Sequence, residues 1–516
     1  MNLVTDPWIP VIDHRGTRSL VGLREVFARA TELAGIEGDT PHVRVALIRL
    51  LLAVFHRATG GPRTVEEWAR WWEDPAQVAA VCDYLDRTSD RFELFGDDRP
   101  FWQCPTLPED RAVPVAKLVP SLASGNNPVW FDHTSVERPA RLTWAEAARW
   151  LVALQMFDPG GLHTGYPKGQ APSKHAPLSG VTVVLPEGAD LARTLLLAAV
   201  RYDPASERPF AAAARSPSDD LPVWEQKPPG PEPAVRSPSG YVDWLTWSPL
   251  RVRLFLAGDT VEEVAITPGD RLPDEIESSS FETFVPLIRR SKQVAFRQLR
   301  FEPDRAAWRN SQAILAKSSE DALHRRARVV DELDELIAAG HLPDEWTIPL
   351  SVTGLAVHER RQSKVLGWAE DRLGVPARVL DDVALGQVLS RAVETAERVA
   401  RTTAWAARLA VAGEERAGNT GGGLSQSIRA RLLALLASAS ETFLLQLPRA
   451  PVDAAVDWST TLEKAVWEVW ETTLPPVGDA EDLRRRVVSE ARLWGSVRKE
   501  LETFTEEVRL LEGGER

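Results

Sequence analysis

Towards the C-terminus, apolar residues recur at three- and four-residue steps, the spacing that places them on one face of a helix. This pattern predicts four long helices, at residues 380–412, 424–446, 455–473 and 480–511. Only Glu490 interrupts the apolar stripe of the last helix, which consists of Leu483, Val487, Trp494, Val497, Leu501, Phe504, Val508 and Leu511. Because such stripes line the seams between packed helices, residues 376–516 are predicted to form a four-helix bundle.

The first 375 residues show shorter and more varied patterns. WIPVIDHRGTRSLVGL predicts a strand, a turn at Arg15-Gly16 and a second strand. TWAEAARWLVALQMF predicts a helix that starts with a capping box between Thr143 and Glu146. LRVRLFLAGDTVEEVAI predicts a β-hairpin with its turn at Gly258-Asp259. The sequence therefore predicts an α+β fold, in which a large, mixed, loop-rich N-terminal domain (residues 1–375) precedes the C-terminal four-helix bundle.

Composition narrows the class of protein. With 44% hydrophobic and 26% charged residues, the 516-residue chain resembles an ordinary globular protein. Its net charge of −13 means that any contact with nucleic acid must be local or shared with partner chains. Two cysteines, Cys82 and Cys104, cannot form a disulfide framework or by themselves a zinc site, and they fit a reducing cytoplasm.

Targeting signals are not expected. MNLVTDPWIPV has neither the basic region nor the apolar run of a signal peptide. VRVALIRLLLAVFHRA, the most apolar segment, carries three arginines and is too short to span a bilayer, so it predicts a buried helix. We expect a cytoplasmic protein without membrane association.

A glycine-rich segment, DPGGLHTGYPKGQAPSKHAPLSGV (residues 158–181), is the first candidate for an anion-binding site. The chain contains no acidic residue from Pro159 to Pro186. Glycine allows backbone N–H groups to approach a phosphate or a base edge. The spacing matches neither a Walker loop nor a dinucleotide fingerprint, which disfavours nucleotide hydrolysis. The structural alternative is an ordinary surface loop.

A basic segment, TFVPLIRRSKQVAFRQLR (residues 283–300), is the second candidate. It lacks acidic residues and contains Phe296 among five cations, namely Arg289, Arg290, Lys292, Arg297 and Arg300. Cations with aromatic neighbours suit the backbone of a nucleic acid. A solvated helix or strand face is the alternative.

Two further segments carry polar or aromatic residues that suit recognition. VTGLAVHERRQSKVLGW (residues 352–368) contains Gln362, which could bond a base edge, beside arginines that could hold phosphate. SGNNPVWFDHT (residues 124–134) contains Trp130 and Phe131, which could stack on bases or anchor a partner. A charged turn and a core contact are the respective alternatives.

Catalytic motifs are missing from the sequence. It contains no G-x-S-x-G, no H-E-x-x-H and no paired Cys/His cluster. His163 and His175 lie in the glycine-rich segment without a nearby acidic residue to complete a metal site. We therefore expect neither an enzyme nor a metal or other cofactor.

Several of these segments, taken in order, resemble a known family. They are NLVTDPWIPV, SGNNPVWFDH, DPGGLHTG, APLSGVTVVLPEGADLARTLLL, GYVDWLTWSP and GLAVHERRQSKVL, followed by the helical C-terminus. Their order and spacing resemble the CasA family, the large subunit of the type I-E CRISPR surveillance complex Cascade. The resemblance covers essentially the whole chain.

The resemblance implies a function in RNA-guided defence. Such a subunit recognises the protospacer-adjacent motif (PAM) in duplex DNA, mainly from the minor groove, and helps to open the strands for R-loop formation. It also offers a docking surface to a trans-acting helicase–nuclease and cuts nothing itself. The implied partners are the backbone, small and handle-binding Cascade subunits, the CRISPR guide RNA and the target duplex.

The resemblance also assigns residues to roles. The PAM-contacting set comprises Gly160, Gly161, His163, Gly165, Arg361, Gln362 and Ser363, with Gln362 as the wedge that parts the strands. The candidates for contact with the DNA backbone are Lys168, Lys174, Arg289, Arg290, Lys292, Arg297, Arg300 and Lys364. The residues expected to contact the guide-RNA handle or a neighbouring subunit are Asn126, Asn127, Trp130, Phe131 and Asp132.

Three departures from the family pattern stand out. Some members carry a lysine finger at the place of residues 274–285, where this chain has no lysine, so Arg289, Arg290 or Lys292 are candidates to replace it. The wedge reads Arg-Arg-Gln-Ser rather than the Asn-Asn-Gln-Ala type, which suggests stronger phosphate contacts. The zinc-binding cysteine cluster of some members is absent.

Two other functions remain open at this point. One is a purely structural scaffold subunit of a ribonucleoprotein, whose loops contact other subunits only. The other is a nucleotide-dependent transferase that would use Gly160 to Gly165, Lys168 and His163.

Overall fold

The computed structural model describes residues 1–74, 77–122, 140–161, 173–317, 322–358, 364–417 and 422–513. The chain divides into two compact units. The first consists of Met1–Pro303, Ala327–His341 and Leu350–Asp371, and the second of Asp304–Arg326, Leu342–Pro349 and Arg372–Arg516. The second unit thus takes in two segments that precede residue 376. The division of roles between residues 1–375 and 376–516 stays a prediction.

Helices and short strands alternate through the first unit, and long helices dominate the second. In the described residues the helices are α1 (Leu23–Ala28), α2 (Pro41–Thr59), α3 (Val65–Glu73), α4 (Gln77–Arg87), α5 (Trp144–Phe157), α6 (Leu191–Ala198), α7 (Tyr241–Leu245), α8 (Ser311–Leu315), α9 (Arg328–Ala338), α10 (Ala377–Asp381), α11 (Val383–Ala417), α12 (Gly422–Leu435), α13 (Ala437–Gln446), α14 (Pro451–Thr473) and α15 (Ala480–Gly513). The strands are β1 (Ile9–Asp13), β2 (Arg18–Val21), β3 (Leu33–Ile36), β4 (Val113–Pro114), β5 (Leu142–Thr143), β6 (Val183–Pro186), β7 (Ala234–Val235), β8 (Leu250–Ala257), β9 (Thr260–Pro268), β10 (Asp270–Arg271), β11 (Leu287–Ile288), β12 (Arg297–Gln298), β13 (His324–Arg325), β14 (Thr347–Val357) and β15 (Val365–Pro376). This content confirms the predicted α+β class with a helical C-terminal region.

Both predicted hairpins form in the first unit. Strand β1 pairs antiparallel with β2 and with β3, and Gly16 at φ +82° makes the predicted turn. Strand β8 pairs with β9 along its length, and Gly258 at φ +66° makes the turn between them. Both turns need a positive φ, which glycine adopts without steric conflict.

Two buried helices carry the core of the first unit. Helix α2 is buried on nearly every side, as its apolar sequence predicts. Its Arg49 is only 2% exposed and donates two hydrogen bonds of 2.9 Å to the carboxylate of Glu282. Helix α5 begins with the predicted capping box of Thr143 and Glu146. Because α5 is fixed in the core, the glycine-rich segment starts from a rigid point at its C-terminal end.

In the second unit the helices depart from the predicted pattern in two places. The second predicted helix is divided at Leu436 into α12 and α13. On α15 Val497, Leu501, Phe504 and Val508 are buried as predicted and Leu511 is half-buried. Leu483 and Val487 are 51% and 56% exposed. Helix α11 runs alongside α15 and changes direction at Gly413, whose φ is +73° and which lies beside Arg485. The predicted seam therefore holds only over the C-terminal half of α15.

None of the described helices is long and apolar enough to cross a membrane. Both cysteines, Cys82 and Cys104, are buried free thiols. In the described ranges no three His, Cys, Asp or Glu side chains are grouped closely enough to hold a metal ion.

Candidate nucleic-acid interface

The glycine-rich segment leaves α5 and returns along itself. The N–H groups of Gly161 and Ser173 donate to each other's carbonyl oxygens at 3.1 and 2.9 Å. Further back, the Ala176 N–H donates to the Asp158 carbonyl at 2.8 Å. The segment thus has a two-stranded base. Residues 162–172, which include the predicted contacts His163, Gly165 and Lys168, lie outside the described residues.

Gly160 and Gly161 are required by the backbone of this base. Their φ angles are +74° and +116°, values that residues with a Cβ atom rarely adopt. A Cβ on Gly160 would lie 2.8 Å from the Ser173 oxygen and 2.9 Å from the His175 nitrogen. The Gly160 N–H also donates to the Asp158 carboxylate at 2.9 Å. The two glycines allow the outgoing and returning strands to touch at backbone distance.

Lys174 lies exposed at the returning strand and donates a 2.8 Å hydrogen bond to Asp274. That hydrogen bond holds the pKa of Asp274 below its ordinary value. Asp274 begins the stretch where the resemblance led us to look for a lysine finger and where the sequence has none. The fold therefore brings a lysine to this place from a segment 100 residues earlier in the chain.

The basic segment forms a short hairpin rather than a helix face. Strands β11 and β12 pair at Leu287 with Gln298 and at Ile288 with Arg297. The connecting turn carries Arg289, Arg290 and Lys292, and the last two of these are exposed. The Arg289 guanidinium lies over the Phe296 ring, 4.5 Å from its centre. This cation–π contact holds one arginine against the turn, so the turn presents several cations on one small exposed structure.

The third candidate segment extends from the end of β14 to the start of β15. The His358 N–H donates to the Lys364 carbonyl at 2.9 Å, next to the facing ends of the two strands, and Lys364 is exposed. Residues 359–363, with the predicted Arg361, Gln362 and Ser363, lie outside the described residues. So do Asn126, Asn127, Trp130, Phe131 and Asp132, which belong to residues 123–139.

These three segments meet inside the first unit. The glycine-rich segment ends at residues 180–182, whose backbone lies against residues 299–301, just after β12. The Thr182 N–H donates to the Leu299 carbonyl at 2.8 Å, and the Phe301 N–H donates to the Gly180 carbonyl at 3.0 Å. Strand β6 continues this segment and pairs with β14 from Leu350 to Thr353. The glycine-rich segment, the basic hairpin and β14 are therefore neighbours, as one nucleic-acid site requires.

An aromatic cavity beside Gly160 was not predicted from the sequence. It measures about 130 Å³, and its lining includes His42, Trp150, Phe157 and Gly160. Burial lowers the pKa of His42 to about 4, against a smaller opposite effect of the Asp39 charge, so the imidazole is neutral at neutral pH. No pattern in the sequence marks this cavity, because His42 occurs in a helix whose composition indicates only an apolar core.

Comparison with known proteins agrees with this architecture. Residues 2–469 match a family described as CRISPR-associated protein Cse1. The CRISPR-associated protein CasA/Cse1 of Thermus thermophilus is 36% identical over 413 residues, which are 77% of this chain and 75% of that protein. The structure of Thermobifida fusca Cse1 matches with a TM-score of 0.82 at 26% identity, covering 97% of this chain and 98% of that one.

The same fold occurs within a larger assembly. A chain in a structure of a CRISPR RNA-guided surveillance complex matches with a TM-score of 0.74 at 21% identity, covering 96% of this chain and 99% of that one. The fold and the sequence matches define a CRISPR-associated protein. The chain belongs to the Cse1 family, also named CasA, the family of the large subunit of type I-E Cascade. This confirms the resemblance drawn from the sequence.

Proposed function

We propose that this chain recognises the PAM within a type I-E surveillance complex. It binds duplex DNA there mainly from the minor groove, helps to part the strands and offers a docking surface to the helicase–nuclease. Its partners are the other Cascade subunits, the guide RNA and the target duplex. The chain itself is not an enzyme and acts in the cytoplasm.

The observation that carries this proposal is the meeting of three segments in the first unit. The glycine-rich base at Gly160 and Gly161 would let backbone groups approach base edges from the minor groove. The turn between β11 and β12 would hold the phosphates. Strand β14 leads to Gln362, the wedge residue. Neighbouring parts of one unit would thus read the PAM bases, hold the phosphates and part the strands.

The charge distribution fits local rather than general DNA binding. The chain has a net charge of −13, so an indiscriminate electrostatic grip on DNA is disfavoured. Arg290, Lys292 and Arg297 are exposed around one short hairpin, and Lys174 donates a 2.8 Å hydrogen bond to Asp274, at the start of the stretch in which the sequence has no lysine. We assign to Lys174 the role that the lysine finger has in other members.

Energetically, the subunit has to offset the first step of duplex opening. Unstacking a base step costs on the order of a few kcal/mol. Contacts at the PAM offset this, and pairing with the guide RNA then carries the opening forward. A substitution in this site should therefore impair PAM recognition and strand opening together when the duplex is intact. It should not weaken binding of a target whose strands are already open.

The test compares complexes that contain the wild-type chain or Gln362→Ala. Each is titrated at one fixed salt concentration with PAM-bearing duplex, duplex without a PAM, and PAM-bearing duplex opened beforehand by mismatches. We expect Gln362→Ala to assemble normally, to lose affinity for the intact PAM-bearing duplex and to retain affinity for the opened one.

Two outcomes would favour the other functions. If Gln362→Ala weakens assembly and leaves the preference among the three duplexes intact, the segment serves a structural scaffold. Saturable nucleotide binding by the isolated chain, weakened by His163→Ala or Lys168→Ala, would favour a nucleotide-dependent transferase.

A further inference from the structure

Arg300 occupies the point where the three segments meet. Its backbone lies two residues beyond β12 and bridges Val181, and the Thr182 hydroxyl donates to the Arg300 carbonyl at 3.2 Å. One terminal N–H of its side chain donates to the carbonyl of Val357 at 2.8 Å. Val357 is the last residue of β14. A single residue thus joins the return of the glycine-rich segment to the end of β14.

Two glycines show that the segments are packed at backbone distance around Arg300. A Cβ on Gly354 of β14 would lie 2.1 Å from a ring carbon of Phe301, so the Phe301 ring rests directly on the β14 backbone. A Cβ on Gly180, at φ +72°, would lie 2.8 Å from a methyl group of Val357. The junction formed by Gly180, Arg300, Phe301, Gly354 and Val357 therefore has little freedom to change its spacing.

Arg300 differs from the other cations of the basic segment in its burial and in its hydrogen-bond partner. Arg290, Lys292 and Arg297 are exposed, whereas Arg300 is half-buried and its guanidinium reaches a backbone carbonyl. A hydrogen bond donated by a charged group to a carbonyl is stronger than a neutral one and has a defined direction. The geometry therefore suits holding a strand end in place more than gripping a mobile phosphate.

We infer that Arg300 is a positioning residue, which fixes the end of β14 relative to the segment that returns from the glycine loop. This inference rests on the proposed function. Reading the PAM with one segment and parting the strands with another requires a constant distance between the two. Arg300 and the Phe301 ring on Gly354 set that distance, while the exposed cations of the hairpin bind phosphate.

The experiment uses the assembled complex with four chains: wild type, Arg300→Gln, Phe301→Leu and Arg297→Gln. Phe301→Leu loosens the same junction without changing any charge. Arg297→Gln is the matched control, because it removes one exposed cation from the same segment and leaves the junction intact. Affinity is measured for intact PAM-bearing duplex and for the same duplex opened by mismatches, each over a range of salt concentrations.

Arg300→Gln and Phe301→Leu should each weaken binding of intact duplex by about tenfold, the effect of losing one charge-assisted hydrogen bond or its equivalent in packing. Binding of opened duplex and the slope of log affinity against log salt should stay as in wild type. Arg297→Gln should weaken both duplexes by the same factor and lower the salt slope by about 1.

The inference is overturned if Arg300→Gln lowers the salt slope as Arg297→Gln does, because Arg300 would then contact phosphate. It is also overturned if Phe301→Leu binds intact duplex like wild type. Should Arg300→Gln fail to assemble, Phe301→Leu decides the matter alone. Failure of the proposed function looks different, since the wild-type complex itself would then show no preference for PAM-bearing duplex.

Discussion

Replacing Gly160 by alanine is the sharpest structural perturbation of the candidate interface. The residue has φ +74°, and a left-handed conformation costs a residue with a Cβ about 1–2 kcal/mol. The new Cβ would also lie 2.8 Å from the Ser173 oxygen and 2.9 Å from the His175 nitrogen, both backbone atoms. The two strands at the base of the loop therefore have to move apart.

The size of the effect follows from the hydrogen bonds that such a movement breaks. Three backbone hydrogen bonds close the base, two between Gly161 and Ser173 and one from Ala176 to Asp158. Each contributes a net stabilisation of about 1 kcal/mol. Together with the cost of the left-handed backbone conformation, the loss of one to three of these bonds should make Gly160→Ala less stable by about 2–5 kcal/mol.

Gly340→Ala is a matched control for the backbone conformation. Gly340 follows α9 with φ +75°, and a Cβ there would meet no atom within 4 Å. Gly340→Ala should therefore lower the free energy of unfolding only by the cost of the left-handed backbone conformation, about 1–2 kcal/mol. Urea unfolding gives the two stabilities, and PAM-dependent duplex binding by the assembled complex gives the functional effect. Gly160→Ala should lose PAM preference, whereas Gly340→Ala should keep it.

An equal loss of stability in both variants would show that the close approach of the returning strand contributes no free energy. If Gly160→Ala lowers stability by the expected amount and still prefers PAM-bearing duplex, the predicted functional effect is wrong. The base of the loop would then be structurally demanding but unrelated to reading DNA.

Two other predictions concern the core of the first unit. Glu282→Ala removes the carboxylate partner of the buried Arg49 and should cost about 3–5 kcal/mol in urea unfolding. Glu37→Ala, at the exposed pair with Arg18, should cost less than about 1 kcal/mol. Equal costs of the two substitutions would contradict the burial of the first pair. Burial lowers the pKa of His56 to about 3, below its value of about 6.5 in an unfolded chain, so the unfolded state takes up the proton first as the pH falls. Its contribution to stability is complete above about pH 6.5 and is lost between there and about pH 3. His56→Phe should flatten the stability of the chain against pH in this window, and an unchanged slope would show that the ring is solvated.

Local features of the fold could be predicted from the sequence because neighbouring residues determine them. The capping box at Thr143 needs only Glu146 three residues later. The turn at Gly258 needs only a glycine between two alternating strands. The buried character of α2 follows from its own composition. These elements were predicted with the correct type and nearly correct ends.

Contacts between distant residues could not be predicted in this way. Lys174 meets Asp274 across 100 residues, and Arg300 meets Val357 across 57. No local pattern marks either pair. Both residues were predicted as contacts to the DNA backbone. That role stays a prediction for Lys174, whereas we infer a positioning role for Arg300. The structure adds partners within the chain that determine where each cation lies.

The apolar stripe of α15 shows a different limit. Its spacing correctly predicts a helix, but spacing alone cannot tell how far the neighbouring helix accompanies it. Gly413 turns the backbone of α11 beside Arg485. Leu483 and Val487, on either side of Arg485, stay exposed although they belong to the stripe.

Whether Gln362 parts the strands next to the PAM is tested most simply by measuring strand opening itself. A fluorescent base analogue is placed in the first base pair next to the PAM, where unstacking raises its emission. Complexes with the wild-type chain or Gln362→Ala are mixed with this duplex at concentrations that saturate binding. We expect a rapid rise in emission with wild type and little or none with Gln362→Ala, although both are bound. An equal rise in both would show that the chain binds the PAM without parting the strands through this residue.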